Sequence, residues 1–333
     1  MFHVYQQNLV PHATTALPEP LNAVLANGYL GVYIFFVLSG FVIAYSVRDA
    51  RVTPRYIGRF ALRRSLRLDP PYWATIAAAL ALSAVSSQAL PDQAKHLPSV
   101  PDVLAHLVYA QQLLGVPHIL GVFWTLCLEI QFYLVYVVGV FVAQRLGRGQ
   151  EAWVFGPLWI LSLLVGCGVL PVDHAVFLWA WPYFFLGMSC AWLVIGRIST
   201  PVWMAIVASS AVLGLDANGP VAVAMATAVV IAIAARPRPD GSRWLQTVTL
   251  GPVLQYLGRI SYSLYLTHLL VGSKSARLGI RLLGHDRLDH LQVTLLLVGC
   301  TALSIGVAHL MHVLVETPAM RWSQRISLRP RPA

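Results

Sequence analysis

Arginine is the densest chemical resource in this chain. Seven guanidinium groups lie from Arg48 to Arg67, six of them within the stretch RVTPRYIGRFALRRSLRLDPPY at 51–72. Arg64 and Arg67 are three apart and would share a face if the segment is helical. Arg59, Arg63 and Arg67 follow at intervals of four. Planar guanidinium forks suit phosphate oxygens, which they bind bidentately. A basic anchor against anionic lipid headgroups would use the same residues. A second resource is Glu129, an acid inside the apolar run VFWTLCLEIQFYL at 122–134, with Trp124 five residues before it. A carboxylate in such a run faces a polar partner or a cavity, because burying it alone is costly. A third is LGRISYSLYLTH at 257–268, where Ser261, Tyr262, Tyr265 and His268 form a polar stripe at helical spacing. Such a stripe either does chemistry or hydrogen-bonds one helix to another. His3, in FHVYQQN, has no chemical motif around it. His309 and His312 are three apart without an evident third ligand, so the spacing predicts a structural role and no metal site.

These residues are embedded in a strongly apolar chain of 333 residues. The hydrophobic set makes up 57% of it and charged residues 11%. Soluble domains carry roughly 25% charged residues. The composition excludes a disordered chain, a collagen-like fibre and a disulfide-rich module, and it disfavours a soluble globule. Cys127, Cys167, Cys190 and Cys300 each sit in an apolar run and read as small buried residues. The net charge of +10 would suggest nucleic acid in a soluble protein. Here the basic residues are dispersed among apolar runs, as the asymmetry of membrane loops requires, and no nucleic-acid partner is expected.

The fold class expected is all-α, a polytopic transmembrane helix bundle. Runs of about 20 apolar residues can cross the hydrocarbon layer. They occur at 28–47, 71–90, 123–143, 153–171, 175–195, 201–217, 219–235, 253–273 and 291–315, which predicts about nine spans. Asp216 with Gly219-Pro220 marks one of the tight turns. With 48–70 as a cytoplasmic Arg-rich loop, seventeen basic residues fall inside and five outside, Arg259 at a helix start being uncounted. The inside set includes Arg145, Arg148, Arg197, Arg236, Arg238, Arg243, Arg321, Arg325, Arg329 and Arg331; the outside set is Lys95, Lys274, Arg277, Arg281 and Arg287. The C-terminus is then cytoplasmic, with 326–333 a flexible tail, and residues 1–27 are external. The organisation expected is a single membrane domain over 1–333.

Five segments, in order, resemble the acyltransferase 3 family of integral membrane O-acyltransferases. GYLGVYIFFVLSGFVIAYS at 28–46 resembles the family's second span, and RFALRRSLRLDPPYW at 59–73 its R-x-x-R segment. FWTLCLEIQFYL at 123–134, LGRISYSLYLTH at 257–268 and VETP at 315–318 resemble three later motifs. The family has ten spans, and FHVYQQN is similar to the end of its first helix. That would make His3 the family's essential histidine and implies a further helix upstream of Met1. The chain departs from the pattern at Asp69, where the family usually has an aromatic residue, and at Ile130, where a second acid is frequent.

The resemblance implies transfer of an acyl group, acetyl above all, from acyl-CoA to a hydroxyl of a carbohydrate-like acceptor. It implies His3 and Glu129 as the catalytic pair, with Arg64 and Arg67 on the CoA phosphates and Arg63 beside them. His3 would be the general base or the carrier of a covalent acyl group, with Glu129 in support, orienting the histidine or holding an acceptor hydroxyl. Trp124, Ser261, Tyr262 and His268 would line the substrate cavity. Acetyl-CoA enters as a donor substrate and no permanently bound cofactor or metal is expected. The partners expected are the donor, a glycan, glycolipid or other hydroxylated acceptor, and the lipid bilayer, in a bacterial-type inner membrane. A non-catalytic or truncated relative, a small-solute permease and a membrane sensor or scaffold share the same span pattern and remain open here.

Overall fold

The computed structural model describes residues 2–9, 17–89, 97–147, 149–214, 218–235, 251–284 and 288–328. Lys95, Arg148, Asp216, Arg236, Arg238, Arg243, Arg287, Arg329 and Arg331, and most of the expected tail at 326–333, lie outside the described residues.

The described residues form helices joined by turns, as the composition requires. They are α1 (Phe2–Val4), followed by a π segment at Tyr5–Leu9, α2 (Glu19–Ala26), α3 (Gly31–Val47), α4 (Pro54–Ala89), α5 (Val100–Leu107), α6 (Trp124–Leu146) and α7 (Glu151–Gly166). Then come α8 (Trp181–Val194), α9 (Thr200–Ser210), α10 (Asn218–Ala235), α11 (Pro252–Arg259), α12 (Ser261–Leu283), α13 (His290–Met311), a π segment at His312–Glu316, and α14 (Thr317–Gln324). Each expected span overlaps helix among the described residues, but the run at 253–273 is divided between α11 and α12. Three helical stretches have the length and apolarity to cross a bilayer: 29 residues at Glu19–Val47, 26 at Gly121–Leu146 and 35 at His290–Gln324. The apolar helices at Glu151–Gly166, Trp181–Val194, Thr200–Leu213 and Gly219–Ala235 have 10–17 residues. That is below the roughly 20 that a perpendicular crossing needs.

The expected loop at 48–70 is helical from Pro54 onward and continuous with the next span. The reason is local. Thr53 accepts a hydrogen bond from the Tyr56 amide at 3.2 Å, as an N-cap does, and Pro54 opens the first turn. Arginine, leucine and alanine are good helix formers, so the basic charge does not interrupt the helix. Pro70 and Pro71 sit inside α4 and remove two amide donors from its ladder. Near them the Tyr262 hydroxyl donates to the Leu68 carbonyl at 2.8 Å, and Thr75 Oγ1 donates to the Pro71 carbonyl at 2.8 Å.

The described chain divides into two compact units. The first comprises 1–29, 62–124 and 251–326. Its core joins Val4, Tyr5, Leu9, Leu17 and Leu25 to Ala276, Leu288, Val293, Leu297 and Cys300. Gly272 on α12 makes room for the N-terminal segment, since a Cβ there would lie 2.5 Å from Val4 Cγ2. The Tyr5 hydroxyl donates to Asn22 Oδ1 at 3.0 Å. α13 starts with a capping box between Asp289 and Gln292. Pro318 then deprives the helix of an amide one turn beyond Leu314, and the ladder opens into the π segment at His312–Glu316.

The second unit comprises 30–61, 125–250 and 327–333. α3 and α8 approach through glycine on both sides. A Cβ on Gly40 would lie 2.0 Å from the Phe184 carbonyl oxygen, and one on Gly187 would lie 1.8 Å from that of Val37. Small residues permit such backbone approach between membrane helices. Around them Phe132 stacks on Phe184 with centroids 4.3 Å apart, and Val37, Leu186 and Cys190 meet Ala224 and Ala228 of α10.

Candidate functional site

In the first unit, α12 carries Tyr262, Tyr265 and His268 at intervals of three, and each meets a different segment. Tyr262 reaches Leu68 of α4 as described above. The Tyr265 hydroxyl donates to the Val122 carbonyl at 2.7 Å. The His268 ring lies 5.7 Å from the His3 ring, centroid to centroid, with 33° between their planes. The two tyrosine hydroxyls therefore act as hydrogen-bonded ties between segments. His268 differs. Its Nδ1 lies 2.7 Å from the Tyr265 carbonyl oxygen. A carbonyl only accepts, so Nδ1 carries the proton and the neutral ring keeps its lone pair on Nε2.

His3 is held from both sides. The Phe2 ring meets it edge-on at 5.0 Å and packs against Tyr29, with its Cβ 2.7 Å from where a Gly28 side chain would begin. Val4 is fully buried against Gly272. The segment placed among residues without a motif is thus anchored in the core of its unit.

Ser261 is exposed at the first position of α12. The buried serine of that motif is Ser263, which donates to Glu316 Oε2 at 2.6 Å. His312 Nδ1 lies 3.0 Å from the same oxygen. The late S-Y-x-x-Y motif and the terminal E-x-P motif are joined by this contact. His309 instead packs its ring 5.8 Å from Tyr256.

Arg63, Arg64 and Arg67 stand on consecutive turns of α4, the first two half-buried and Arg67 exposed. Two residues on, Asp69 is buried and accepts hydrogen bonds from the Ser65 hydroxyl and from the Tyr109 hydroxyl, the latter at 3.0 Å. Burial pushes its carboxyl above the usual range, and the Ser65 and Tyr109 hydrogen bonds pull it back part of the way. Tyr109 stacks on Tyr72 at 4.5 Å and holds φ at 59°, a left-handed conformation rare outside glycine. Close by, His106 is fully buried, and both ring nitrogens are engaged: Nδ1 donates to the Asp102 carbonyl at 2.8 Å and Nε2 accepts the Ile119 amide at 3.1 Å. Trp124 is half-buried where α6 begins.

Glu129 belongs to the second unit and is 4% exposed. Its Oε1 accepts the Ser39 hydroxyl at 3.0 Å and the Tyr133 hydroxyl. The FFVLSGF motif and the acid-bearing motif of α6 are joined by this network.

A family model described as an acyltransferase domain, that of the acyltransferase 3 family, matches residues 1–309. The chain belongs to this family. It is an acyltransferase, as the resemblance implied, and the match extends to the His3 segment. A curated relative of similar kind, the acyltransferase MdmB of Streptomyces mycarofaciens, is 27% identical over 371 aligned residues, which cover 99% of this chain and 91% of that protein. No solved structure matches the chain significantly. Within this acyltransferase, sequence reasoning located Glu129 and the α12 stripe but not their partners. Ser39 and Ser263 are ordinary residues of apolar helices until the fold sets an acid beside them. Asp69 was visible as a departure from the family pattern, but Tyr109 carried no signal.

Proposed function

We propose that this acyltransferase moves an acetyl group from acetyl-CoA to a hydroxyl of a carbohydrate-like acceptor, with His3 as general base. The observation that carries this reading is the seating of His3 against His268, in the same unit as the Arg64–Arg67 turn of α4. Arg64 and Arg67, with Arg63 in support, bind the CoA phosphates from the cytoplasm. His3 takes the proton from the acceptor hydroxyl as its oxygen attacks the thioester carbonyl. The tetrahedral intermediate collapses, the C–S bond breaks, and the proton held on His3 passes to the leaving thiolate. The products are free CoA and the ester.

Trp124, Tyr262 and His268 line the acceptor side, and Glu129 supports the fold of its own helices through Ser39 and Tyr133. The nine apolar runs are the spans, in a bacterial-type inner membrane with the C-terminus in the cytoplasm. An inside donor and an outside acceptor then meet within the helices, and CoA itself need not cross. No metal takes part in this route.

The test is CoA thiol release from acetyl-CoA by the purified protein in nanodiscs, with a panel of glycosides as acceptors. Acceptor-dependent release that is lost in His3→Ala supports the reading. Release unchanged in His3→Ala overturns the role of His3. Accumulation of a solute without any thiol release would favour a permease.

A further inference from the structure

A general base works through a defined tautomer. One nitrogen must offer its lone pair to the substrate, so the other must hold a proton and point it at an acceptor. His3 therefore needs a hydrogen-bond acceptor on its far side. In its own unit a ring beside it that carries an acceptor nitrogen is His268, 5.7 Å away between centroids. That spacing admits a bridge between ring nitrogens through one water, and a direct hydrogen bond after a small approach of the two rings.

His268 has only one role open to it. Its Nδ1–H is committed to the Tyr265 carbonyl at 2.7 Å, with the Leu264 carbonyl at 3.2 Å beside it. What remains is the Nε2 lone pair, an acceptor. The residue that supplies the carbonyl is itself fixed, because the Tyr265 hydroxyl is tied to Val122. The chain of constraint runs from Val122 through Tyr265 to His268. It is built on one turn of a regular helix, which holds a side chain more tightly than a loop does.

We propose that His268 is a positioning residue for His3. Its Nε2 accepts the N–H of His3 and so leaves the other nitrogen of His3 free to take the acceptor proton. When His3 becomes an imidazolium, the same hydrogen bond becomes charge-assisted and stabilises it. No bond to His268 forms or breaks. The proposal rests on His3 being the base.

The experiment compares His3→Ala, His268→Ala and His268→Gln in nanodiscs, each checked for folding by elution and thermal midpoint. The glutamine amide can return an acceptor oxygen near the place of Nε2. In His268→Ala we expect kcat to fall on the order of a hundredfold, the scale of a misplaced catalytic group. We expect KM for acetyl-CoA to stay within about twofold, since α4 and not α12 holds the donor phosphates. His268→Gln should regain at least about a tenth of the lost rate, which would still be a severalfold gain over alanine. Loss of activity in His3→Ala with an unchanged kcat in His268→Ala overturns the positioning role and leaves the base intact. Equal losses in the alanine and glutamine variants also overturn it, as does a rise in KM matching the fall in kcat. Full activity in His3→Ala shows instead that the base itself is misassigned. Should His268→Ala fail to fold, a folded His268→Gln decides: a kcat at or above about a tenth of wild type with KM within about twofold supports the proposal, and a lower kcat or a matching rise in KM overturns it.

Discussion

Arg67 stands exposed on α4 while Arg63 and Arg64 are half-buried, so the three guanidinium groups are not equivalent. An exposed arginine contributes to a ligand more than to the fold. Arg67→Ala should therefore raise KM for acetyl-CoA about tenfold, the loss of one charge-assisted contact, and leave kcat and the thermal midpoint nearly unchanged. Steady-state kinetics in nanodiscs would read both, and a normal KM would remove Arg67 from the donor site. His106 has the opposite character. Its two engaged nitrogens require a neutral ring, and burial lowers its pKa from the ordinary 6.5. The neutral form is thus favoured by folding. The stability it adds is complete above pH 6.5 and is lost as pH falls through the lower, folded-state value. Protonation would turn Nε2 from an acceptor into a donor facing the Ile119 amide. Hydrogen exchange at Ile119, corrected for the intrinsic rate, should speed up between pH 7 and pH 5. It should show no such change in a folded His106→Gln variant.

At the scale of elements, the contact between α3 and α8 depends on two glycines facing backbone. Added atoms at Gly40 would meet a carbonyl, which has no rotamer by which to move aside. Gly40→Ala should destabilise the second unit by at least about 2 kcal/mol, the range of core overpacking. A lowered thermal midpoint in detergent would measure it. Gly58, with open space around its Cβ position, supplies the control in which alanine is tolerated. This contact also marks how much of the fold was legible beforehand. Apolar runs betray membrane-type helices because lipid leaves no other partner for the backbone, and α6 was expected at 123–143 and found at 124–146. The basic half of α4 has the charge of a loop, but arginine ends only the hydrocarbon run and not the helix. Between α4 and α6 the helix α5 is only eight residues long, too short to stand out as a membrane run. From Ser99 onward this segment is held by the capping box of Ser99 and Asp102 and by buried side chains such as Tyr109 and Gln111. In the site, Glu129 was conspicuous as an acid among apolar neighbours. Its partner Ser39 lies 90 residues away and could be found only by folding the chain.

For the whole molecule, the cysteines offer a direct probe of orientation. Cys167 is exposed, whereas Cys127, Cys190 and Cys300 are buried. It caps the end of α7, which the proposed topology sets at the external side. A membrane-impermeant maleimide added to intact cells should label the protein, and Cys167→Ser should abolish the labelling. Labelling that appears only after the cells are broken would reverse the proposed topology.

The double proline and the arginines of α4 carry a consequence for how the protein is made. This helix has 36 residues, yet it is not among the stretches apolar enough to cross a membrane by themselves. A translocation machinery that sorts segments by hydropathy would release it only reluctantly into lipid. A side-chain tie that holds it beside its prolines, from Tyr262 to the Leu68 carbonyl, comes from almost two hundred positions later in the chain. Integration of α4 is therefore completed late in synthesis. A ribosome stalled before α12 would leave behind a half-inserted intermediate, a ready target for membrane quality-control proteases.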